Sequence, residues 1–272
     1  MVLIYRREIT VTYHGGFMSY KIPIIEVYGK EKPCILIALN LSRVYGKPTI
    51  IEDLWYVIRK LRGEEIAGKV TFAYITRKFK QRTLDNVLNF SNYNAIVEIL
   101  LLGKSYPYLI SSAYSEKRDF GISELWISRE SEEFLKKISI LASKDNITHM
   151  VYVASSSIKV NGKNSSELNY NALMNILKAY NLIPGSLDNL KLIDERFREV
   201  KILTSRSKGG ILLLKNSVGQ KINKDALIYE IKNVFGELVD SMVFSGKEGV
   251  IISCTEKMFV KPYDYVVSIA TV

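Results

Sequence analysis

The stretch that decides the fold runs from Pro33-Cys-Ile-Leu-Ile-Ala-Leu-Asn40, through Pro48-Thr-Ile-Ile-Glu52, to Lys69-Val-Thr-Phe-Ala-Tyr-Ile-Thr76. Its first and last parts are apolar and rich in β-branched or aromatic residues, which predicts two strands. In the middle part the Thr and the Glu have the spacing of a capping box, and Gly63 stands where a helix commonly ends. The helix between the strands would turn one apolar face inward, formed by Ile51, Leu54, Trp55, Ile58 and Leu61.

Strand and helix patterns continue to alternate outward from this stretch. Ten or more strands are predicted, and the segment Gly246-Lys-Glu-Gly249 is expected to join two of them as a hairpin. About five helices are predicted, and after the first they cover residues 93–102, 131–142, 167–179 and 224–235. Strands and helices that interleave in this way favour an α+β (mixed α/β) fold built around mixed sheets.

The distribution of turn residues suggests two subdomains. We predict an N-terminal α+β subdomain over residues 1–103 and a C-terminal α/β subdomain over residues 104–272. Helix signals lapse over residues 103–130, where Gly, Pro and Ser gather, so the boundary is placed there. The polar loop at residues 155–166 is the alternative boundary.

Composition restricts the class of protein. Hydrophobic residues make up 47% of the 272 residues and charged residues 24%, which is typical of a globular chain with a packed core. The sequence has no apolar run of the roughly 18 residues that would suggest a membrane span. The N-terminus lacks the pattern of a signal peptide, and the two cysteines are expected to be free thiols. These features predict a cytoplasmic protein.

The net charge of +10 is concentrated in two segments. Residues 59–82 hold eight basic and two acidic residues, and residues 196–224 hold eight basic residues and one acidic residue. Cations with an aromatic ring among them suit a polyanion that offers phosphates and bases, whereas the plainer alternative is a solvated basic face. The candidate nucleic-acid-binding residues are Arg77, Lys78, Phe79, Lys80, Arg82, Arg206, Lys208, Lys215 and Lys221.

Residues that would carry a reaction are sparse. The sequence has two histidines, and neither clusters with cysteines, so no metal and no cofactor are predicted. His149 is interpreted as a core or strand-end residue, and His14 as the more exposed of the two. The run Ser155-Ser-Ser157 lacks the Gly-x-Ser-x-Gly frame of a nucleophile turn. The carboxylates Asp119 and Glu124 flank a glycine turn, and they are the candidates for a metal-dependent nuclease.

One family resemblance follows from the order of elements. Residues 120–210 read as strand, helix, apolar strand, polar loop, helix and paired strands, which resembles the second half of the RNase H-like sheet in the PIWI module of Argonautes. Asn40 stands where that family has its first catalytic aspartate, and Ser155-Ser-Ser157 replaces its Arg-Asp-Gly. The resemblance therefore implies an inactive copy. The chain also resembles the accessory subunit that accompanies short prokaryotic Argonautes, which implies guide and target strands as partners.

The sequence thus predicts a non-catalytic subunit that binds nucleic acid, either RNA or DNA. It would belong to an intracellular complex with a protein partner. A guide-directed antiviral defence assembly is the suggested setting, and the abundance of Lys, Ile, Tyr and Asn is typical of a thermophilic archaeal proteome. Two alternatives stay open: a divergent metal-dependent RNase H-like nuclease, and a protein–protein scaffold whose basic face is only solvated.

Overall fold

Strands dominate the molecule. The computed structural model describes residues 3–12, 19–29, 32–41, 49–75, 81–111, 118–127, 139, 148–160, 162–191, 199–206 and 208–271. Their helices are α1 (Thr49–Leu61), α2 (Gln81–Leu88) and α3 (Ser165–Ala179), with a 3-10 turn at Phe90–Asn92. Their strands are β1 (Leu3–Thr12), β2 (Ser19–Tyr28), β3 (Cys34–Asn40), β4 (Lys69–Ile75), β5 (Ala95–Leu100), β6 (Lys104–Ser105), β7 (Tyr108–Ser111), β8 (Ser123–Ile127), β9 (Thr148–Val153), β10 (Lys159–Val160), β11 (Lys163–Asn164), β12 (Glu199–Thr204), β13 (Gly210–Leu214), β14 (Lys221–Asn223), β15 (Leu227–Lys232), β16 (Leu238–Val243), β17 (Glu248–Cys254), β18 (Phe259–Val260) and β19 (Tyr265–Thr271).

Four parallel strands form the centre of the large sheet. β3 pairs in parallel with β4 on one side and with β5 on the other, and β5 pairs in parallel with β9. These strands are apolar along nearly their whole length because both faces of the sheet are covered. The sheet continues outward in the order β1-β2-β4-β3-β5-β9-β7-β8-β12-β19-β17-β14, with β6 paired to β17.

Helix α1 packs on one face of this sheet, as its sequence predicts, but it is rotated from the predicted orientation. Its buried apolar residues are Ile50, Leu54, Val57, Ile58 and Leu61. Trp55, which the spacing assigned to the inner face, is 45% exposed. The inward stripe therefore follows the i, i+4, i+7, i+8 pattern from Ile50.

Helix α3 lies beside α1 on the same face. It begins with a capping box: the Asn164 side chain accepts from the Glu167 N–H at 2.9 Å, and the Glu167 carboxylate accepts from the Asn164 N–H at 2.9 Å. The cap is thus Asn164 and not Ser165 or Ser166, which the sequence suggested. The predicted inner face is confirmed, with Leu168, Ala172, Leu173, Ile176, Leu177 and Tyr180 all buried.

A buried asparagine joins both helices to the sheet. The Asn169 amide donates to the Asp53 carboxylate on α1 at 2.8 Å and to the Ser155 carbonyl at 3.0 Å. Its own carbonyl oxygen accepts from the Tyr152 hydroxyl on β9 at 2.9 Å and from the Ser155 N–H at 2.7 Å. All four hydrogen-bonding positions of the amide group are used, so the side chain sets how α1, α3 and β9 lie against one another.

A second sheet covers the far end of the first. Its strand order is β16-β15-β13-β18, and all its pairs are antiparallel. Inward residues of this sheet, such as Leu212, Tyr229 and Ile231, share an apolar cluster with Ile251 and Ile269 of the large sheet. This cluster holds the C-terminal part of the chain on the same face as α1 and α3.

The fold class is confirmed at the coarse level, since the molecule is a mixed α/β structure with several sheets and mostly strands. The number of helices is wrong: the described residues contain three α-helices. The helix predicted at 93–102 is β5, and the one at 224–235 is mainly β15. The helix predicted at 131–142 lies outside the described residues, apart from Ser139.

Two of these errors have a common physical reason. Apolar runs in β5 and β15 are compatible with both helical and extended periodicity, and pairing with neighbouring strands decides for the extended form. The hairpin predicted across residues 246–249 is wrong as well, because β16 pairs with β15 in the small sheet whereas β17 pairs with β14 and β19 in the large one. The division into two subdomains stays a prediction.

Two general expectations can be compared with the structure. Cys34 and Cys254 are free thiols, as predicted. Within the described ranges, no helix combines the length and the apolar character needed to cross a lipid bilayer.

Replacing Asn169 with leucine should destabilise the protein strongly. The leucine fills a similar volume, but the Tyr152 hydroxyl and the Ser155 N–H then lose their acceptor in the core. Each unsatisfied buried donor costs about 1–3 kcal/mol, so we expect a loss of roughly 2–6 kcal/mol in the free energy of unfolding, measured by urea denaturation. The exposed Asn189→Leu variant is the control. An equal urea midpoint for both variants would show that the Asn169 amide is not essential to the packing.

The stability contributed by Asp53 should depend on pH. Burial raises the pKa of Asp53 above its ordinary value, although hydrogen bonds from Asn169 and Ser166 oppose the rise. When a carboxyl group has a higher pKa in the folded chain than in the unfolded chain, its protonation stabilises the folded protein. This contribution is complete at a pH below the unfolded pKa and is lost as the pH rises through the folded pKa. In the Asp53→Asn variant the side-chain oxygen of residue 53 still accepts from Asn169, but the side chain is uncharged at every pH. Its stability relative to the wild type should therefore increase from pH 4 to pH 7 in urea titrations, and a difference that is constant with pH would contradict this assignment.

Candidate functional site

The direction of the chain connections in the large sheet reverses at the carboxyl ends of β3 and β5. From β3 the chain crosses through α1 to β4 on one side, whereas from β5 it continues to the strands on the other side. Helix α1 covers one face of the sheet, and α2 contributes Leu84 and Leu88 to the apolar cluster on the opposite face. In open α/β sheets, ligands bind at such a reversal of strand order. Asn40 ends β3 at this point, and Leu101 follows β5.

A buried carboxylate lies on β5, one of the two strands at this reversal. Glu98 of β5 is fully buried, and its Oε1 accepts from the Asn40 side-chain amide at 2.9 Å. Its Oε2 accepts from the Ser139 hydroxyl at 2.5 Å and lies 3.8 Å from Nε2 of His149 on β9. We call Asn40, Glu98, Ser139 and His149 the Glu98 cluster.

The Glu98 cluster divides one face of the sheet into two apolar regions. Alternate residues of a strand share a face, so Glu98 lies between Ile96 and Leu100 on β5. Ile96 belongs to the apolar cluster under α2, whereas Leu100 belongs to a second cluster with Val151 of β9. The carboxylate therefore occupies a polar strip between two packed regions. A charge in such surroundings requires compensating hydrogen bonds, and Asn40 and Ser139 supply them.

His149 is the member of the cluster with an unused polar atom. Its Nε2 is buried and has no hydrogen-bond partner among the residues that the structure describes. The separation from Glu98 is too long for a hydrogen bond but short enough for electrostatic attraction when the imidazole is protonated. A carboxylate and an imidazole at this separation can both contact one water molecule, and such a pair of groups is used in general acid–base catalysis.

The described residues show no group of three or more His, Cys, Asp or Glu that could hold a metal ion. Asp119, a candidate for the nuclease alternative, instead accepts from the Gly121 N–H at 2.9 Å and lies 3.4 Å from the Lys191 ammonium. The Gly121 hydrogen bond lowers the pKa of Asp119. Ser155 is buried and donates to the Ser105 carbonyl at 3.0 Å, so it is engaged in packing. His14 lies outside the described residues.

The five candidates in the first basic segment cannot be placed from the described residues. Arg77, Lys78, Phe79 and Lys80 lie outside those residues, and so does the side chain of Arg82, whose backbone lies in α2. The other four candidates are exposed and belong to different parts of the C-terminal region: Arg206 follows β12, Lys208 precedes β13, Lys215 follows β13, and Lys221 lies in β14.

Two of these cations have partners within the protein. The Lys215 ammonium lies 2.7 Å from the Glu230 carboxylate. The Arg206 guanidinium donates to the Met242 sulfur at 3.8 Å, and the Arg206 backbone N–H donates to the Asp240 carboxylate at 3.0 Å. The four residues thus lie on or beside three different strands, β12, β13 and β14. Their contact with an anion stays a prediction.

Solved structures resemble this chain over its whole length. A succinylglutamate desuccinylase/aspartoacylase protein from Shewanella frigidimarina has 11% identity and a TM-score of 0.64, covering 100% of this chain and 98% of its own. An aspartoacylase family protein from Mesorhizobium loti has 11% identity and a TM-score of 0.66, covering 98% and 94%. The product-bound ectoine utilization protein EutE (DoeB) from Ruegeria pomeroyi has 12% identity and a TM-score of 0.67, covering 100% and 95%. No family model and no curated protein matches the sequence.

These comparisons establish the fold as that of the succinylglutamate desuccinylase/aspartoacylase proteins. The resemblance to Argonautes is therefore wrong, and so are the guide-directed, antiviral and nucleic-acid-binding assignments drawn from it. The resemblance depended on the order of strands and helices, and the same order is compatible with different sheet topologies. The position of Asn40 at the end of a central strand is correct, but the strand belongs to another fold.

Glu98 is the residue that the sequence interpretation missed. It lies in Ala95-Ile-Val-Glu-Ile-Leu100, which was assigned to a helix in which a glutamate would face solvent. Read as a buried strand, the same stretch places one charged residue in an apolar run, and such a charge needs partners. That feature is the signal that could have identified it.

Replacing Glu98 should separate its packing role from its charge. In Glu98→Leu the Asn40 amide loses a buried acceptor, which should reduce the free energy of unfolding by about 1–3 kcal/mol. Glu98→Gln keeps an oxygen for Asn40 and an amide that can donate to Ser139, so it should lose less. Urea denaturation of both variants measures the difference, and a leucine variant as stable as the glutamine variant would contradict the role of these hydrogen bonds.

Proposed function

We propose that this chain is a hydrolase that cleaves the amide bond of a small N-acylated amino acid. The observation that carries the proposal is the similarity of fold over the whole chain to proteins named as desuccinylases and aspartoacylases, at TM-scores of 0.64 to 0.66. Those names describe removal of an acyl group from an amino acid. Because fold alone does not determine function, the local chemistry has to supply the second part of the argument.

The site proposed for the reaction is the Glu98 cluster. The reaction adds water across an amide: the water oxygen bonds to the carbonyl carbon, the C–N bond breaks, and the products are a carboxylate and an amine. We assign to Glu98 the role of accepting a proton from the attacking water and of giving a proton to the amine nitrogen as the C–N bond breaks. Nε2 of His149 lies 3.8 Å from Glu98 Oε2, and we assign to it a hydrogen bond to the same water molecule.

For the reaction to occur, a water molecule has to reach the Glu98 carboxylate. Both carboxylate oxygens are engaged, by Asn40 and by Ser139. The Ser139 hydroxyl is only partly buried, so it is the partner that a water molecule can replace. Exchange of one hydroxyl for another keeps the carboxylate hydrogen-bonded throughout.

The test is an amine-release assay on the purified protein with N-succinylglutamate and N-acetylaspartate. Release of the free amino acid is expected for the wild type. Glu98→Gln keeps the hydrogen bonds but is a far weaker base, so we expect its kcat to fall by at least about a hundredfold, the usual contribution of general-base catalysis. The control is Glu237→Gln, an exposed glutamate in the turn between β15 and β16 that should leave kcat unchanged.

The outcomes separate the two parts of the proposal. Turnover that survives in Glu98→Gln would retain the hydrolase and remove Glu98 from its role. The absence of amine release by the folded wild type with either amide would overturn the hydrolase assignment.

A further inference from the structure

A cavity of about 450 Å³ lies where the small sheet meets the large one. Its walls come from β6 and the end of β17 on the large sheet, from β13 on the small sheet, and from the segment that connects β17 to β18. The lining residues are Lys104, Leu212, Leu214, Cys254, Thr255, Glu256, Lys257 and Met258. The cavity is large enough for a small organic molecule.

The inner walls of the cavity are apolar. Leu212 and Leu214 alternate with the outward-facing residues of β13 and thus point toward the large sheet. Opposite them, Cys254 is buried, and this burial raises the pKa of its thiol to about 11. At neutral pH the thiol is therefore protonated and behaves as a small hydrophobic group.

The rim carries one positive and one negative charge that face the same space. Lys104 lowers and Glu256 raises the pKa of Cys254, so both charges lie within electrostatic range of that sulfur. Both side chains are exposed, and within the described part of the chain neither forms an ion pair. The third charged residue, Lys257, is already bonded to the Asp264 carboxylate at 3.0 Å.

We propose that this cavity binds a small zwitterion with an apolar body, of the size of an amino acid or a dipeptide. The ligand carboxylate would bind the Lys104 ammonium, and the ligand ammonium would bind the Glu256 carboxylate. The apolar side chains of the ligand would lie against Leu212 and Leu214. This binding site is independent of the hydrolase proposal, since it requires none of the residues of the Glu98 cluster.

Charge complementarity distinguishes this ligand from simpler ones. A plain carboxylate would gain from Lys104 and be repelled by Glu256, and a plain amine would have the opposite balance. An uncharged apolar molecule would leave both rim charges without a partner. A molecule with both charges satisfies both groups, so recognition should fail when either charge of the ligand is removed.

The test is calorimetric titration of the full chain with leucyl-leucine and its two blocked forms. N-acetyl-leucyl-leucine lacks the ammonium group, and leucyl-leucinamide lacks the carboxylate. Leucyl-leucine should bind, and each blocked form should bind at least about tenfold more weakly, because a charge-assisted hydrogen bond contributes on this order. Free leucine, as the shorter zwitterion, tests whether one apolar side chain is enough.

Variants assign each ligand charge to its partner. Lys104→Gln should weaken the binding of leucyl-leucine and abolish the preference for leucyl-leucine over leucyl-leucinamide. Glu256→Gln should likewise weaken this binding and abolish the preference over N-acetyl-leucyl-leucine. Both positions are exposed, so these variants should fold, and thermal unfolding verifies this. The matched controls are Lys247→Gln and Glu237→Gln, which change exposed charges that do not line the cavity and should leave all affinities unchanged.

The proposal fails if leucyl-leucine does not bind at millimolar concentration, or if the blocked forms bind as well as the zwitterion. It also fails if Lys104→Gln and Glu256→Gln keep the wild-type preference. The amine-release assay is unaffected by any of these results, because binding is measured here without turnover.

Discussion

The arrangement of the N-terminal half depends on the four hydrogen bonds of Asn169. An amide group offers two donors and two acceptor positions, and here they connect α1, the strand β9 and the chain that follows it. Apolar packing alone would let two helices slide along the sheet, because it is not directional. The hydrogen bonds of the Asn169 amide are directional and fix the position of the helices. One of them requires the Asp53 carboxylate to be buried, which costs free energy.

The parts of the fold that the sequence predicts well are those with a local stop and start signal. Helix α1 has Pro48 before it and Gly63 after it, and α3 has a clear apolar face. The stretches that became β5 and β15 have no such signals, and only strand pairing over a long sequence separation determines their structure. The family resemblance failed for a related reason, since the order of elements does not encode which strands become neighbours.

The candidate site was predictable only in part. Asn40 was singled out because it ends a clear strand, although only as the replacement of a catalytic aspartate, and His149 was interpreted as a core or strand-end residue. Glu98 escaped because its significance depends on burial on both faces of the sheet, which is a property of the assembled structure. The basic segments drew attention by their charge, yet a cation on the surface is explained by solvation as well as by a ligand.

The connection after β5 limits how this protein can vary in length. Leu101 belongs to the apolar cluster on one face of the sheet and Leu102 to the cluster on the other. Gly103 follows with φ of +92°, and a Cβ there would come within 2.2 Å of the Cys254 carbonyl oxygen. One inserted residue would turn each leucine toward the opposite face of the sheet. It would also move Gly103 away from the site where a Cβ does not fit. Insertions and deletions in related chains are therefore expected to avoid these three residues and to accumulate in surface turns such as the one between β15 and β16.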